Sequence, residues 1–352
     1  MTRNSQKHKL VPILGVMVLV LSLLLSACSN TEDSSTPTSS TAEEKTISEF
    51  ETVQEAANAY LTSSPQWNIN ASDLYLLLND GDDSNDPFIV SVRSAEVYAK
   101  GHIPGAINIS LADLAKPENL AKLPKDKKIV VYCFTGHTGS QATAILNVLG
   151  YDASNLKFGM TAWTLDTDVA PGRYVEANAC MDYPFETVTN SATETYSTPV
   201  LENTSSNDED EILRSAADTY LASSPQWNIN ASDLYMLLND GDDSNDPFIV
   251  SVRSAEAYAK GHVPGAINIG LADLVKPENL AKLPTDKQIV VYCFTGHTGS
   301  QATAILNMLG YDVTNLKFGM TAWTLDTDIA PGRYVEANAC MDYPYITGTL
   351  PN

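Results

Sequence analysis

Two periods of apolar residues alternate along the chain. Phe88 to Val92, Ala106 to Ile109, Ile129 to Tyr132 and Leu156 to Phe158 are short apolar runs with the length and β-branching of buried strands. Between them the spacing shifts to that of one helical face, as at Ala142, Ile145, Leu146 and Leu149, and Gly150 stands where a C-cap glycine belongs. A further helix is expected from Ser48 to Leu61. This alternation predicts an α/β fold with a parallel β-sheet, right-handed crossovers and flanking helices.

The whole pattern occurs twice. Tyr60 to Pro184 aligns with Tyr220 to Pro344 at a constant offset of 160, with about a dozen mild differences such as Val97 against Ala257 and Ile103 against Val263. Each repeat, about 130 residues, has room for a core of its own. The expected domains are residues 47–185 and 211–346, joined by a polar stretch, 186–210, that reads as a flexible linker.

Ahead of the repeats, Arg3, Lys7 and Lys9 precede an apolar run from Leu10 to Leu25, the pattern of a secretory signal over residues 1–27. An uncleaved membrane-anchoring helix is the other reading, and both place the remainder outside the cytoplasm. Residues 28–46 are mostly Ser, Thr and acidic and read as a disordered tether.

The chemistry concentrates in a heptapeptide present in both copies, Cys133-Phe134-Thr135-Gly136-His137-Thr138-Gly139 and Cys293-Phe294-Thr295-Gly296-His297-Thr298-Gly299. Each cysteine is placed at the carboxyl end of a strand and before a helix N-terminus, where open α/β sheets bind ligands. A thiolate is the nucleophilic form of cysteine, and backbone N–H groups of a glycine-rich turn stabilise it. His137 and His297 would add a hydrogen bond or, if protonated, a positive charge.

Here the sequence resembles the rhodanese, or sulfurtransferase, family. Besides the loop, Ser91-Val92-Arg93-Ser94-Ala95-Glu96 with Tyr98 to Asn108, and Leu156-Lys157-Phe158-Gly159-Met160-Thr161-Ala162-Trp163, are similar to its first and closing signatures. The resemblance implies two tandem rhodanese-like domains in which Cys133 and Cys293 accept sulfane sulfur as a persulfide and pass it on. It implies substrate contacts from the other six residues of each loop, supporting roles for Arg93 and Arg253, and no cofactor. The partners it implies are a thiosulfate- or polysulfide-type donor and a thiol or cyanide-like acceptor. Two positions depart from the family pattern. Thr138 and Thr298 stand where the loop usually carries arginine, and Ser91 and Ser251 replace an aspartate. Losing the arginine removes a bidentate clamp for an anionic donor. That loss motivates a second reading, a carrier or binding module with little turnover. A phosphatase or arsenate reductase on the related fold would need that arginine, so this class is set aside. Leu25-Ser26-Ala27-Cys28 resembles a bacterial lipobox, implying acylation of Cys28 and a lipid-anchored, extracytoplasmic place in the cell envelope.

The net charge is -22, and removing Arg3, Lys7 and Lys9 with the signal takes it to -25. Such a surface repels nucleic acid and gives no long-range steering to an anionic donor. The histidines show no metal-ligand spacing, and His102 and His262 read as structural residues of the turn before Pro104 and Pro264. The acidic stretch Asp80 to Asp86 lacks the glycine and glutamate of a calcium loop and reads as a solvated turn. Cys180 and Cys340 leave three alternatives: a structural or unpaired thiol, a reversible disulfide with the loop cysteine of the same repeat, or a bridge to each other.

Overall fold

The structure, a computed structural model, describes residues 48–63, 67–223 and 227–349. The expected signal, tether and acylated Cys28 lie outside the described residues. No helix among the described residues is long and apolar enough to cross a membrane.

Each repeat forms a five-stranded parallel sheet. In the first, β1 (Asn68–Ile69), β2 (Phe88–Ser91), β3 (Ile107–Asn108), β4 (Ile129–Tyr132) and β5 (Ala153–Leu156) lie in the order β1-β5-β4-β2-β3. In the second, β6 (Asn228–Ile229), β7 (Phe248–Ser251), β8 (Ile267–Asn268), β9 (Ile289–Tyr292) and β10 (Val313–Leu316) repeat that order. The central strands β4 and β9 are buried along their whole length, as their unbroken Ile-Val-Val-Tyr runs require. Helices flank the sheets, so the fold is the expected α/β class.

One strand differs from expectation. Instead of Leu156 to Phe158, β5 begins at Ala153 and ends at Leu156. Ser154 and Asn155 interrupt the apolar pattern yet are fully buried, with Asn155 Nδ2 donating to Asn68 Oδ1 of β1 at 2.9 Å. Beyond β5 the chain kinks, with Phe158 at φ 62° and Gly159 at φ 55°. A Cβ on Gly159 would lie 2.6 Å from the Cys133 carbonyl oxygen, so only glycine fits there.

The repeats do not hang independently. The helices after the two cysteine loops, His137–Val148 and His297–Met308, pack against one another, and one continuous core runs through Val53, Ile145 and Leu146 to Ile212, Ile305 and Leu306. The segment following each repeat's last helix docks on the other repeat. Met181 N donates to Ala322 O and Tyr183 N to Trp323 O at 2.7 Å, while Met341 N and Tyr343 N bond to Ala162 and Trp163 in the same way. The stretch read as a flexible linker is held as well. Glu186 pairs with His262 through backbone bonds of 3.0 and 2.9 Å, and the Glu49 carboxylate accepts the Asn203 and Thr204 amides at 2.8 and 2.9 Å. Polar composition predicted mobility, but these polar groups find fixed partners on the second sheet and the first helix.

Candidate active site

Cys133 follows the last residue of β4, and the turn to the helix is made by Gly136 at φ 85°. The loop's carbonyls are drawn away from the sulfur: Cys133 O accepts Met160 N at 2.9 Å and Phe134 O accepts Thr161 N at 2.9 Å. With its carbonyls tied down behind, the loop turns an amide toward the thiol, and Gly136 N donates to Cys133 Sγ at 3.1 Å. Gly296 N and Cys293 Sγ repeat this contact at 3.1 Å. A hydrogen bond to sulfur at a helix N-terminus stabilises the thiolate, the form that attacks. Both cysteines are buried, Cys133 at the base of a cleft of about 290 Å³. A larger cleft, about 510 Å³, lies between the start of the first helix and residues 198–207 and contains no cysteine or histidine.

Phe134, Thr135, His137 and Thr138 all border the Cys133 cleft. The two loops meet back to back, and a Cβ on Gly136 would lie 2.5 Å from His297 Nε2. The His137 and His297 rings stack with centroids 5.4 Å apart. His137 Nε2 lies 3.2 Å from both Phe318 N, which can donate to it, and Thr295 O, to which it can donate. Its Nδ1 lies 2.8 Å from Thr135 Oγ1. Phe158 N, His297 and Thr295 mirror the arrangement. Burial, with a smaller repulsion from Lys317, pushes His137 down to about 4, and burial with repulsion from His137 and Lys157 holds His297 well below the usual histidine range. The imidazoles are therefore neutral at neutral pH, and they join the repeats instead of supplying positive charge to the sulfur.

Arg93 lies buried beneath the loop. Its Nε donates to Ser91 Oγ at 3.1 Å and its terminal nitrogens to Val169 O at 3.2 Å and Gly101 O at 2.7 Å, while its guanidinium sits 5.5 Å from the Phe134 ring centroid. Arg253 makes the equivalent contacts. Two backbone carbonyls and the Ser91 hydroxyl are thus acceptors of Arg93, while Glu96 pairs with Lys100 at 3.2 Å. Serine in place of aspartate fits this setting, since its hydroxyl accepts from Nε without burying a second charge.

Cys180 and Cys340 are free thiols, as are the loop cysteines. Neither borders the Cys133 cleft. Burial pushes both thiols up, which disfavours their nucleophilic thiolate form. The sequence reading passed over the groups that reach the Cys133 cleft from elsewhere: Pro171 and Gly172 of the first repeat, and Asn228 and Lys317 of the second.

An open parallel α/β sheet with a cysteine whose sulfur accepts a loop amide at the carboxyl end of its central strand defines a class of thiol-bearing domain. Residues 70–166 and 230–326, together more than half of the chain, match the model of the Rhodanese-like domain, and the chain belongs to that family. A sulfurtransferase of Allochromatium vinosum is 33% identical over 82 residues, covering 23% of this chain and 75% of that protein. A putative sulfurtransferase of Bacillus subtilis is 34% identical over 80 residues, covering 23% and 76% respectively. An HTH-type transcriptional regulator of Mycobacterium tuberculosis is 42% identical over 79 residues, which are 22% of this chain and 34% of that protein. The similarity thus follows the domain and spans only about a third of that regulator.

Proposed function

We propose that each repeat is a sulfurtransferase that carries sulfane sulfur as a persulfide on Cys133 or Cys293. The observation that carries this is the amide of Gly136, or Gly296, held 3.1 Å from the sulfur at the base of the loop. The thiolate attacks the outer sulfur of thiosulfate, the S–S bond of the donor breaks, and sulfite leaves with its electron pair. The cysteine persulfide anion so formed keeps its charge under the loop amides. Cyanide, or a thiolate, then attacks the terminal sulfur; thiocyanate, or a new persulfide, departs and the cysteine thiolate is restored. No redox partner is needed, because sulfur is transferred at the same oxidation level. The names of the two sulfurtransferases similar to this chain support the reading.

Thiocyanate formation from cyanide, with thiosulfate and polysulfide offered separately, tests it. Turnover should fall by about half in Cys133→Ser and in Cys293→Ser, and vanish in the double variant. Threonine at the loop position of the family's arginine favours a second reading, a sulfur carrier with little turnover. A persulfide that forms on both cysteines without catalytic thiocyanate production would select it.

A further inference from the structure

The cleft of Cys133 is completed by the other repeat: Asn228 of β6 and Lys317, just past the end of β10, border it. Lys317 is half-buried and is the only lysine or arginine among the described residues lining that cleft. Its place is fixed at the backbone: Lys317 N donates to Ile229 O at 2.9 Å, and the next residue, Phe318, donates its amide to His137 in the loop of the first repeat. The strained φ of 62° at Phe318 makes that approach possible. Lys157 stands in the same relation to the second loop, next to Phe158, whose amide bonds to His297. The positive field of each lysine reaches the histidine of the opposite loop.

Each ammonium lies over the ring of the phenylalanine that follows it, at 5.4 Å for Lys317 and 5.3 Å for Lys157, and has no carboxylate partner among the described residues. Lys100, Lys116, Lys128 and Lys276 each pair with a carboxylate, whereas no ion pair among the described residues involves Lys157 or Lys317. In a chain with 43 acidic and 21 basic residues, Lys317 is thus a half-buried cation that borders the cleft of a nucleophile and is not neutralised by a carboxylate. Thr138 and Thr298 meanwhile leave each loop without a cation of its own.

We propose that Lys317 binds the anionic end of the sulfur donor attacked by Cys133, and Lys157 that of the donor attacked by Cys293, so that each site takes its anion-binding cation from the opposite repeat. The proposal rests on the sulfurtransferase reading for the identity of the anion, a sulfonate or polysulfide terminus. The pairing of Lys317 with Cys133 rests on their shared cleft, and that of Lys157 with Cys293 on its equivalent position beside Phe158 and His297. A lysine is a point charge and not a bidentate fork, so it accepts either terminus.

The test uses the full chain and compares alkylation by anionic iodoacetate with alkylation by neutral iodoacetamide. Each cysteine is followed separately by mass spectrometry, because the two loop peptides differ at Val148 and Met308. Lys317→Met should lower the iodoacetate-to-iodoacetamide rate ratio at Cys133 about fivefold and leave the ratio at Cys293 unchanged; Lys157→Met should do the reverse. Lys317→Arg should restore the ratio at Cys133. A ratio that changes at the cysteine of the lysine's own repeat, or at neither, overturns the proposal. So does a wild-type Cys133 that reacts with neither reagent, because a cleft closed to so small an electrophile holds no donor. If the ratios shift as expected but no donor yields thiocyanate, the sulfurtransferase reading fails while the cross-repeat anion site stands. If both hold, Lys317→Met in a Cys293→Ser background raises the KM for thiosulfate several-fold with a smaller change in kcat.

Discussion

At the scale of single residues, the loop depends on a glycine outside it. Gly159 sits at φ 55° and ψ -142°, and its missing Cβ leaves room for the carbonyls of Cys133 and Phe134, which would otherwise be met at 2.6 and 2.8 Å. Those carbonyls are bonded to the amides of Met160 and Thr161, and this holds the loop amides on the sulfur side. Gly159→Ala therefore acts twice. Forcing a side chain into this backbone region costs about 1–3 kcal/mol, and the Cβ also pushes against Cys133. We expect a lower denaturation midpoint together with loss of persulfide formation on Cys133 while Cys293 keeps its own. Persulfide labelling of both sites in one sample checks this, and equal occupancy would show that the loop tolerates the displacement. Arg93 acts more indirectly, since its donors go to carbonyls and a hydroxyl and its guanidinium faces the rings of Tyr132 and Phe134. Its contribution is to hold the loop in place from below.

Among the elements, the exchanged segments after each repeat are what the loops do not explain. Asp342, at φ 48°, aims its carboxylate at the Leu165 amide, 2.9 Å away, and Tyr343 stacks on Tyr75 with ring centroids 3.9 Å apart. Tyr343 also meets Trp163, whose Nε1 donates to Pro344 O at 2.9 Å. Tyr343→Ala should cost about 2 kcal/mol, through the lost aromatic pairs and the space left beside Trp163. Hydrogen exchange should show the amides of Met341 and Tyr343 losing protection before those of β4; unchanged protection would mean that the backbone bonds alone hold the segment. None of this was legible in the sequence, because Glu336 to Pro344 has neither strand nor helix period and its partners lie in the opposite repeat. The strand–loop–helix unit around Cys133 was legible, because Ile129 to Tyr132 and the face at Ala142, Ile145 and Leu146 are local patterns with one solution. β5 was misplaced because buried Ser154 and Asn155 break the apolar run that marks a strand. Lys317 lies inside the second copy of a signature motif, but its place at the Cys133 cleft was not legible, since that cleft belongs to the other repeat. His137 was read as a loop residue; it opens the helix His137–Val148, and its burial against the second loop depends on packing between repeats.

For the molecule as a whole, joining the loops through neutral imidazoles ties stability to pH. His137 is buried in the interface with Nε2 between Phe318 N and Thr295 O, so protonation would place a desolvated charge between the repeats. Its pKa is lowered by burial to about 4, and that of His297 moves the same way; His102, stacked on Tyr98, is also lowered, chiefly by burial. Above about pH 6.5, the ordinary histidine value, both folded and unfolded chains hold these groups neutral and stability is complete. As pH falls below that value the unfolded chain takes up protons that the folded chain refuses. Stability is then lost progressively down to the folded pKa of each group. At pH 5 the loss from His137 is about 2 kcal/mol, with His297 adding to it in the same direction. Carboxylates titrate in the lower part of this range, so the histidine share must be isolated. His137→Gln/His297→Gln retains side chains able to accept from the Phe318 and Phe158 amides but removes the titration. Urea denaturation at pH 7 and pH 5 should show a substantially larger loss of stability in the wild type than in this variant. An equal loss in both would mean that the interface opens to water before the imidazoles titrate. In that case the back-to-back loops, and with them the lysine each repeat lends to the other, would separate in mild acid without help from the histidines.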